Sequence, residues 1–289
     1  MRGGLLRWFD DHGPDYPWRQ REDDPYAVLV SEVMLQQTQA SRVVEAFPRF
    51  MERFPTLAAL AEASRPDVVR AWAGMGYHRR AVGLQETARR VVAEHGGRVP
   101  SDVAALRTLP GIGPYTAAAV ASIAYGVPVA AVDTNVRKVM ARVDHGAERD
   151  EVTDPHVLAS AEAWLDRSRP GDWNQALMTM GRRICRTTPR CGVCPLAPVC
   201  RFRASGRVGR PSVGRQPVFE GSMRQVRGEV VAVLRSEASI SLAHLANLVG
   251  EPLERTAEAV AGLVRDGIAS AGPVALAGGP SGRVRLAEG

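Results

Sequence analysis

Four cysteines crowd into sixteen residues, Cys185, Cys191, Cys194 and Cys200, with the spacing C-x5-C-x2-C-x5-C. Thiolates this close suit a tetrahedral zinc ion or an iron–sulfur cubane, and spacing alone leaves both open. Two disulfides are disfavoured, because the start of the chain (MRGGLLRWFDDHG) lacks the apolar run and small-residue cleavage site of a secretion signal. Pro189, Pro195 and Pro198 stiffen the loop, and Arg186, Arg190, Arg201 and Arg203 line its edges, where they could meet phosphates. A second feature is Leu109–Thr116 (LPGIGPYT). Its glycines, Gly111 and Gly113, allow a tight turn, and the N–H groups opening the next helix could bind a phosphate. Taken alone, such a turn is more often a connector. Asp133 follows in Val132–Val136 (VDTNV), at a position where aspartate commonly caps a helix.

Helices must position these groups. Asp24-Pro25 makes a cap and a first helical residue, followed by an apolar stripe through Tyr26, Leu29, Val30 and Val33. Further helical patterns carry Val43, Val44, Phe47 and Phe50, then run from a Ser64 cap to Gly74, and from Arg79 to the stop at Gly96-Gly97. Asp154-Pro155 repeats the cap arrangement, and Trp173–Ile184 is helical again. No stretch in this region alternates as a strand would, so the fold class is mainly α. The stretch 203–222, rich in Gly, Ser, Pro and Arg, reads as a linker. Beyond it, 226–234, 242–248 and 254–264 are short helices, and 268–286 is expected to form a hairpin. The expected organisation is a helical core over 1–202 including the cysteine loop, the linker, and a winged-helix-like α/β module over 223–289.

The 289 residues are 45% hydrophobic, enough for a substantial core, and no apolar run approaches the roughly 18 residues that would suggest a membrane span. The expectation is a cytoplasmic, nucleoid-associated protein without a membrane partner. A net charge of +6 and a pI near 9.6 make a polyanionic partner plausible. Lys138 is the single lysine, every other cationic side chain of this class being arginine. Nothing points to an obligate oligomer, so a monomer is expected.

In combination the motifs are far more specific. LPGIGPYT, VDTNV and the four-cysteine loop together resemble the helix–hairpin–helix DNA glycosylases of the endonuclease III superfamily. Ser31–Gln39 (SEVMLQQTQ), preceded by Tyr16–Arg19 (YPWR), is similar to adenine DNA glycosylases of the MutY type. Gly74–Tyr77 (GMGY) and Asn174–Ala176 (NQA) match the same family. The resemblance covers roughly residues 5–202. It implies a two-lobed core, a 4Fe-4S cluster on the cysteines in preference to zinc, and base excision repair: hydrolytic removal of a flipped-out adenine from double-stranded DNA carrying A:8-oxoguanine or A:G mispairs.

By position, the resemblance makes Glu32 the acid that protonates adenine and Asp133 the carboxylate that stabilises the positive sugar, with Tyr115 and Asn135 supporting them. The logic is that of paired carboxylates in retaining glycosidases. The residue environments agree with these roles. Leu29, Val33 and Leu35 can desolvate Glu32 and raise its pKa, while a helix N-terminus and Asn135 favour ionised Asp133. Gln37 and Tyr77 would wedge beside the oxidised guanine, with Thr38 and Met75 touching it. Arg19 and Gln175 would hold the adenine, and Gly111 and Gly113 the phosphate. The lyase branch has a lysine where this chain has Tyr115. Lys138 lies five residues beyond Asp133, about 140° around a helix. A monofunctional hydrolase without efficient strand cleavage is expected.

Three features depart from the family pattern. The first cysteine gap is five residues instead of six, and Thr134 replaces a glycine. The tail is similar to the short winged-helix-like ends of some actinobacterial members and not to the larger C-terminal domain that checks for 8-oxoguanine. Two further readings remain: a mismatch glycosylase with another target base, such as thymine opposite guanine, and a non-catalytic iron–sulfur winged-helix regulator that binds DNA. Glu32 and Asp133 disfavour the second, which needs no acid pair.

Overall fold

The computed structural model describes residues 2–211 and 218–289. The chain divides into two compact units, each built from two stretches of sequence: Met1–Glu32 with Val99–Arg215, and Val33–Arg98 with Gln216–Gly289. Both are predominantly helical, as the periodicity predicts. Among the described residues no helix is long and apolar enough to cross a membrane.

In the first unit, Arg2–His12, Thr134–His145, Asp154–Trp164 and Pro170–Arg183 pack around Leu5, Val136, Met140, Trp173 and Leu177. Local chemistry sets where each helix begins and ends. The Asp24 carboxylate accepts from the backbone N–H groups of Tyr26 and Ala27 and so starts Pro25–Leu35. Asp102 does the same for Val103–Arg107, accepting from Ala105 N–H at 2.8 Å. The turn after it includes Gly111 at φ +75°, where a side chain would be strained, and Pro114–Tyr125 follows. Gly126 and Gly146, both left-handed, stop Pro114–Tyr125 and Thr134–His145. The expected cap at Asp154 sits one residue earlier: Thr153 is the flanking extended residue, and Asp154 is already helical, where its charge favours the N-terminus. Pro170–Arg183 begins three residues before the apolar pattern suggests, because Pro170 at its first position needs no N–H partner.

In the second unit, Ala40–Arg53, Leu57–Glu62, Arg65–Ala71 and Arg79–His95 form one helical layer. Phe50 packs edge-on against both Phe54 and Trp72. The tail adds Met223–Leu234, Leu242–Val249 and Leu253–Arg265, with strands β1 (Ile240–Ser241), β2 (Ala269–Ala271) and β3 (Arg283–Leu286). The sheet order is β1-β3-β2, antiparallel throughout, with Ile240 opposite Val284 and Ala269 opposite Leu286. Val284 and Leu286 face inward while Arg283 and Arg285 face outward, the two-residue alternation of a half-buried strand. Strands β2 and β3 pair as the expected hairpin, although Pro273–Leu276 inserts a helical turn into the connection. Helices followed by a small sheet make this a winged-helix-like module.

One break between the units, Arg215 to Gln216, falls inside the stretch 203–222 that composition marks as a linker, while the breaks after Glu32 and before Val99 fall within the expected core 1–202. Residues 212–217 of that stretch lie outside the described residues. Before them, Arg207 and Arg210 are held by Glu151 and Asp150 of the first unit. After them, the tail packs with residues 33–98: Val69 is part of the tail's own core, and Arg70 donates to the Arg235 carbonyl. Arg65 is buried, donating to the Gln85 side-chain oxygen at 2.6 Å and to the Gly267 carbonyl at 3.2 Å. Composition marks where a chain is polar, not which surfaces it later covers. Arg65→Ala strands the buried Gln85 amide and is expected to lower unfolding free energy by about 2–4 kcal/mol, read from urea titration.

Candidate active site

Glu32 ends the first of the two stretches of the first unit and is 6% exposed, an unusual burial for a carboxylic acid. The helix Pro25–Leu35 is apolar on almost every face, with Leu29 and Val28 buried beside it, so the side chain has little water. Tyr115, at the second position of the helix after the glycine turn, donates its hydroxyl proton to Glu32 Oε2 at 2.7 Å. Burial pushes the Glu32 carboxyl up to about 7. The Tyr115 hydrogen bond pulls the other way, and the charge of Asp133 pushes it up further. The Tyr115 phenol is itself held well above its ordinary range by burial and by the two carboxylates, so it is a fixed proton donor.

Asp133 caps Thr134–His145. Its Oδ1 accepts from the backbone N–H groups of Asn135 (2.8 Å) and Val136 (2.7 Å), and its Oδ2 accepts from the Asn135 amide at 2.8 Å. Three donors and the positive end of a helix surround a negative charge. Thr134 has no left-handed backbone, so nothing at this turn requires glycine. The ordinary cap and the chemical role therefore coincide in one residue.

Supports that sequence reasoning missed fix these positions. The buried Asn174 donates to Ser122 Oγ and to the Val129 carbonyl and accepts from Ala131 N–H, which pins the chain just before Asp133. At Gly181 a Cβ would lie 2.8 Å from the Asn135 Cβ, so only glycine lets Pro170–Arg183 approach the start of the Asp133 helix this closely. Glycine in a helix interior was the available signal, since it weakens a helix and needs a packing reason. Glu22 is another: it accepts from Gln175 Nε2 at 3.0 Å, and burial raises its pKa against the opposing effects of Gln175 and Arg19. Gln175 and Arg19 thus share one carboxylate neighbour, and Arg19 also lies 4.3 Å from the Phe9 ring centroid.

Gly111 and Gly113 are exposed, with open space where each Cβ would stand, so another backbone could approach this turn. Lys138 feels the charges of both Cys185 and Asp133, while burial lowers its pKa. Gln37, Thr38, Met75 and Tyr77 belong to the second unit. There Gln37 and Tyr77 are exposed and Thr38 half-buried, whereas Met75 is buried.

The four cysteines line a single cavity, partly open to solvent, together with Arg142, Met180, Ile184, Pro189 and Phe202. Four thiols facing one cavity are a fitting donor set for a thiolate-bound metal group. The cavity is braced by Arg142, which is 1% exposed. Its guanidinium grips both oxygens of Glu148, donates to the Arg186 carbonyl at 2.6 Å, and reaches Cys185 Sγ at 3.7 Å.

This arrangement, an acid pair beside a glycine hairpin on a helical scaffold, is that of a base-excision protein. Residues 30–164 match the HhH-GPD superfamily of base excision DNA repair proteins. The chain is 44% identical over 238 residues to the adenine DNA glycosylase of Mycobacterium tuberculosis, covering 80% of this chain and 77% of that one. It is 42% identical over 288 residues to that of Mycolicibacterium smegmatis, covering 96% and 97%, so this likeness continues through the tail module. A solved thermostable thymine-DNA glycosylase superposes with a TM-score of 0.66 at 28% identity, over 71% of this chain and 95% of that one. The chain belongs to the HhH-GPD superfamily, and the curated relatives named here are adenine DNA glycosylases.

The pKa directions at Glu32 have opposite consequences for activity and stability. A group that acts as an acid near pH 7 loses activity as pH rises through its pKa. Tyr115→Phe removes the bond that favours ionised Glu32, so the alkaline limb of the single-turnover pH profile should move to higher pH. For folding, neutral Glu32 costs nothing below its ordinary 4.5, and the burial penalty grows until about pH 7. At pH 8, Glu32→Gln should therefore be more stable than the wild type by on the order of 2–3 kcal/mol in denaturant titration. The same variant should lose about a thousandfold in turnover.

Proposed function

We propose that the protein is a monofunctional adenine DNA glycosylase that hydrolyses the N-glycosidic bond of an adenine flipped out of duplex DNA opposite 8-oxoguanine or guanine. The observation that carries this reading is the contrast between two carboxylates in one unit: Glu32 dehydrated and held near neutral pKa, Asp133 surrounded by three N–H donors. Glu32 gives its proton to a ring nitrogen of adenine, so the base departs as a neutral molecule when the C1′–N bond breaks. Asp133 faces the positive charge left on the sugar. Water then adds to C1′, and the proton it releases restores Glu32. Tyr115 keeps the Glu32 carboxyl oriented throughout and, unlike an amine, forms no Schiff base with the opened sugar.

Adenine selection follows from the Gln175 amide. Because its Nε2 is committed to Glu22, its Oε1 is left as an acceptor, which suits the amino group of adenine. Gly111 and Gly113 would meet a backbone phosphate, and Gln37, Thr38 and Tyr77 the base opposite. The cysteines would hold a 4Fe-4S cluster; bound there, the group supplies a rigid cross-link among four points of the loop. In support, among the described residues no three His, Cys, Asp or Glu side chains converge closely enough for a single ion, yet all four thiols face one cavity. Thiolates around one zinc stand only about 3.8 Å apart, given Zn–S bonds of about 2.3 Å, and a cubane needs more room. The acid pair, the adenine-side groups and the cysteine cavity belong to one unit of one chain, so a monomer suffices, acting on the nucleoid in the cytoplasm.

The decisive assay compares duplexes with adenine opposite 8-oxoguanine, guanine and thymine, and thymine opposite guanine. Cluster-loaded protein should release adenine opposite 8-oxoguanine and guanine, with strand breaks visible only after alkali. Breaks without alkali would remove the monofunctional assignment. Thymine release would favour the other mismatch class, and no release from any duplex would favour a regulator.

A further inference from the structure

Among the described residues only two non-glycine residues have left-handed backbones: Gln37 at φ +54° and Tyr77 at φ +45°. Such conformations cost free energy for an L residue and persist only where surrounding groups enforce them. They lie forty residues apart in sequence, yet one side chain is bonded to the backbone around both. Arg80 Nη1 donates to the carbonyls of Val33 (2.9 Å), Met34 (2.9 Å) and Gln36. Arg80 Nη2 donates to Thr38 Oγ1 (2.9 Å) and to the carbonyls of Met75 (3.1 Å) and Gly76 (3.2 Å). Its acceptors therefore flank Gln37 on both sides and end at the residue before Tyr77.

The guanidinium is also stacked near two rings, 5.4 Å from the Trp72 centroid and 5.5 Å from that of Tyr77, and Trp72 Nε1 donates to the same Gly76 carbonyl. The acceptors of Val33 and Met34 are carbonyls at the open end of Pro25–Leu35, where a cation is favoured by the helix dipole. A planar fork with two terminal nitrogens suits this double task. The four terminal N–H groups share six acceptors from two nitrogens set apart, whereas an ammonium is a point charge whose three donors radiate from one nitrogen and cannot span the two segments in this way.

We propose that Arg80 is a positioning residue for recognition of the base opposite the excised adenine: it locks Gln37 and Tyr77 in the strained conformations that present them together. Acting through two exposed side chains and touching no reacting atom, Arg80 sets how strongly the enzyme prefers 8-oxoguanine to guanine. The inference rests on the functional reading above. It differs from that reading in what it governs, since adenine protonation by Glu32 does not depend on it.

Arg80→Lys, with Arg80→Gln as a second variant, tests this in the full-length, cluster-loaded protein. Single-turnover adenine release is compared opposite 8-oxoguanine, opposite guanine and opposite an abasic site, where no base is present to be read. The expected result is at least a fivefold fall in the 8-oxoguanine-to-guanine rate ratio, with the abasic-site rate and the pH profile unchanged. The same substitution in a Gln37→Ala/Tyr77→Ala background should have no further effect on the ratio. An unchanged ratio, or an equal loss on all three duplexes, overturns the proposal. So does loss of the cooperative thermal transition in both variants, since that makes Arg80 a determinant of folding. Hydrogen exchange provides a readout independent of catalysis: amides of 36–39 and 74–78 should exchange at least tenfold faster in Arg80→Lys, and unchanged exchange would refute the lock. A wild type that releases no adenine, with exchange still accelerated in the variant, would count against the functional reading alone.

Discussion

An acid that works near neutral pH has to be kept from water, and a carboxyl group kept from water destabilises the protein unless it stays protonated. The first unit is arranged around that constraint at Glu32. A helix with almost no polar face carries it, and one phenol supplies its hydrogen bond without supplying a charge. A second carboxylate nearby would ordinarily share the same fate. Asp133 differs in its surroundings, because three N–H groups converge on its oxygens. The two acids are chemically alike, and what distinguishes them is these surroundings.

Keeping those surroundings in register requires close approach of backbones, and small or amide side chains provide it. Gly181 lets one helix lie against Asn135, and Asn174 stitches three backbone and hydroxyl groups ahead of Asp133. The glycine hairpin then sets Tyr115 at a helix start, where its ring can meet Glu32. The chain passes from the first unit to the second immediately after Glu32 and returns at Val99. The acid and the residues that would read the opposite base are thus adjacent in sequence, only five positions separating Glu32 from Gln37.

Helix positions were legible in the sequence because caps and glycine stops are local signals, and the SEVMLQQT and VDTNV motifs single out the two carboxylates proposed as the acid pair. Asp24 and Ser64 each cap where their type suggests. What was not legible is long-range. Nothing local marks Gln85 as the partner of Arg65, Glu22 as the partner of Gln175, or Val69 as part of the tail's core. The tail's membership in the second unit depends on these contacts, and composition at 203–222 carries no information about them. Arg80 illustrates the same limit: in a chain whose cations are nearly all arginine, residue type could not distinguish a half-buried clamp from a solvated surface.

The cysteine loop acts on the same constraint from a distance. Thr134–His145 begins at the Asp133 cap and ends near Arg142, 1% exposed, which is held by Glu148 and the Phe202 ring and reaches the loop through the Arg186 carbonyl. A twelve-residue helix is about 18 Å long and stiff over that length. Disturbing the loop therefore tilts a lever whose other end holds the carboxylate. A buried guanidinium without its partners is strongly destabilising, so Arg142 resists such movement as long as Glu148 and Arg186 stay in place. The brace consists entirely of protein groups. One helix and one buried cation thus connect the loop to the Asp133 cap.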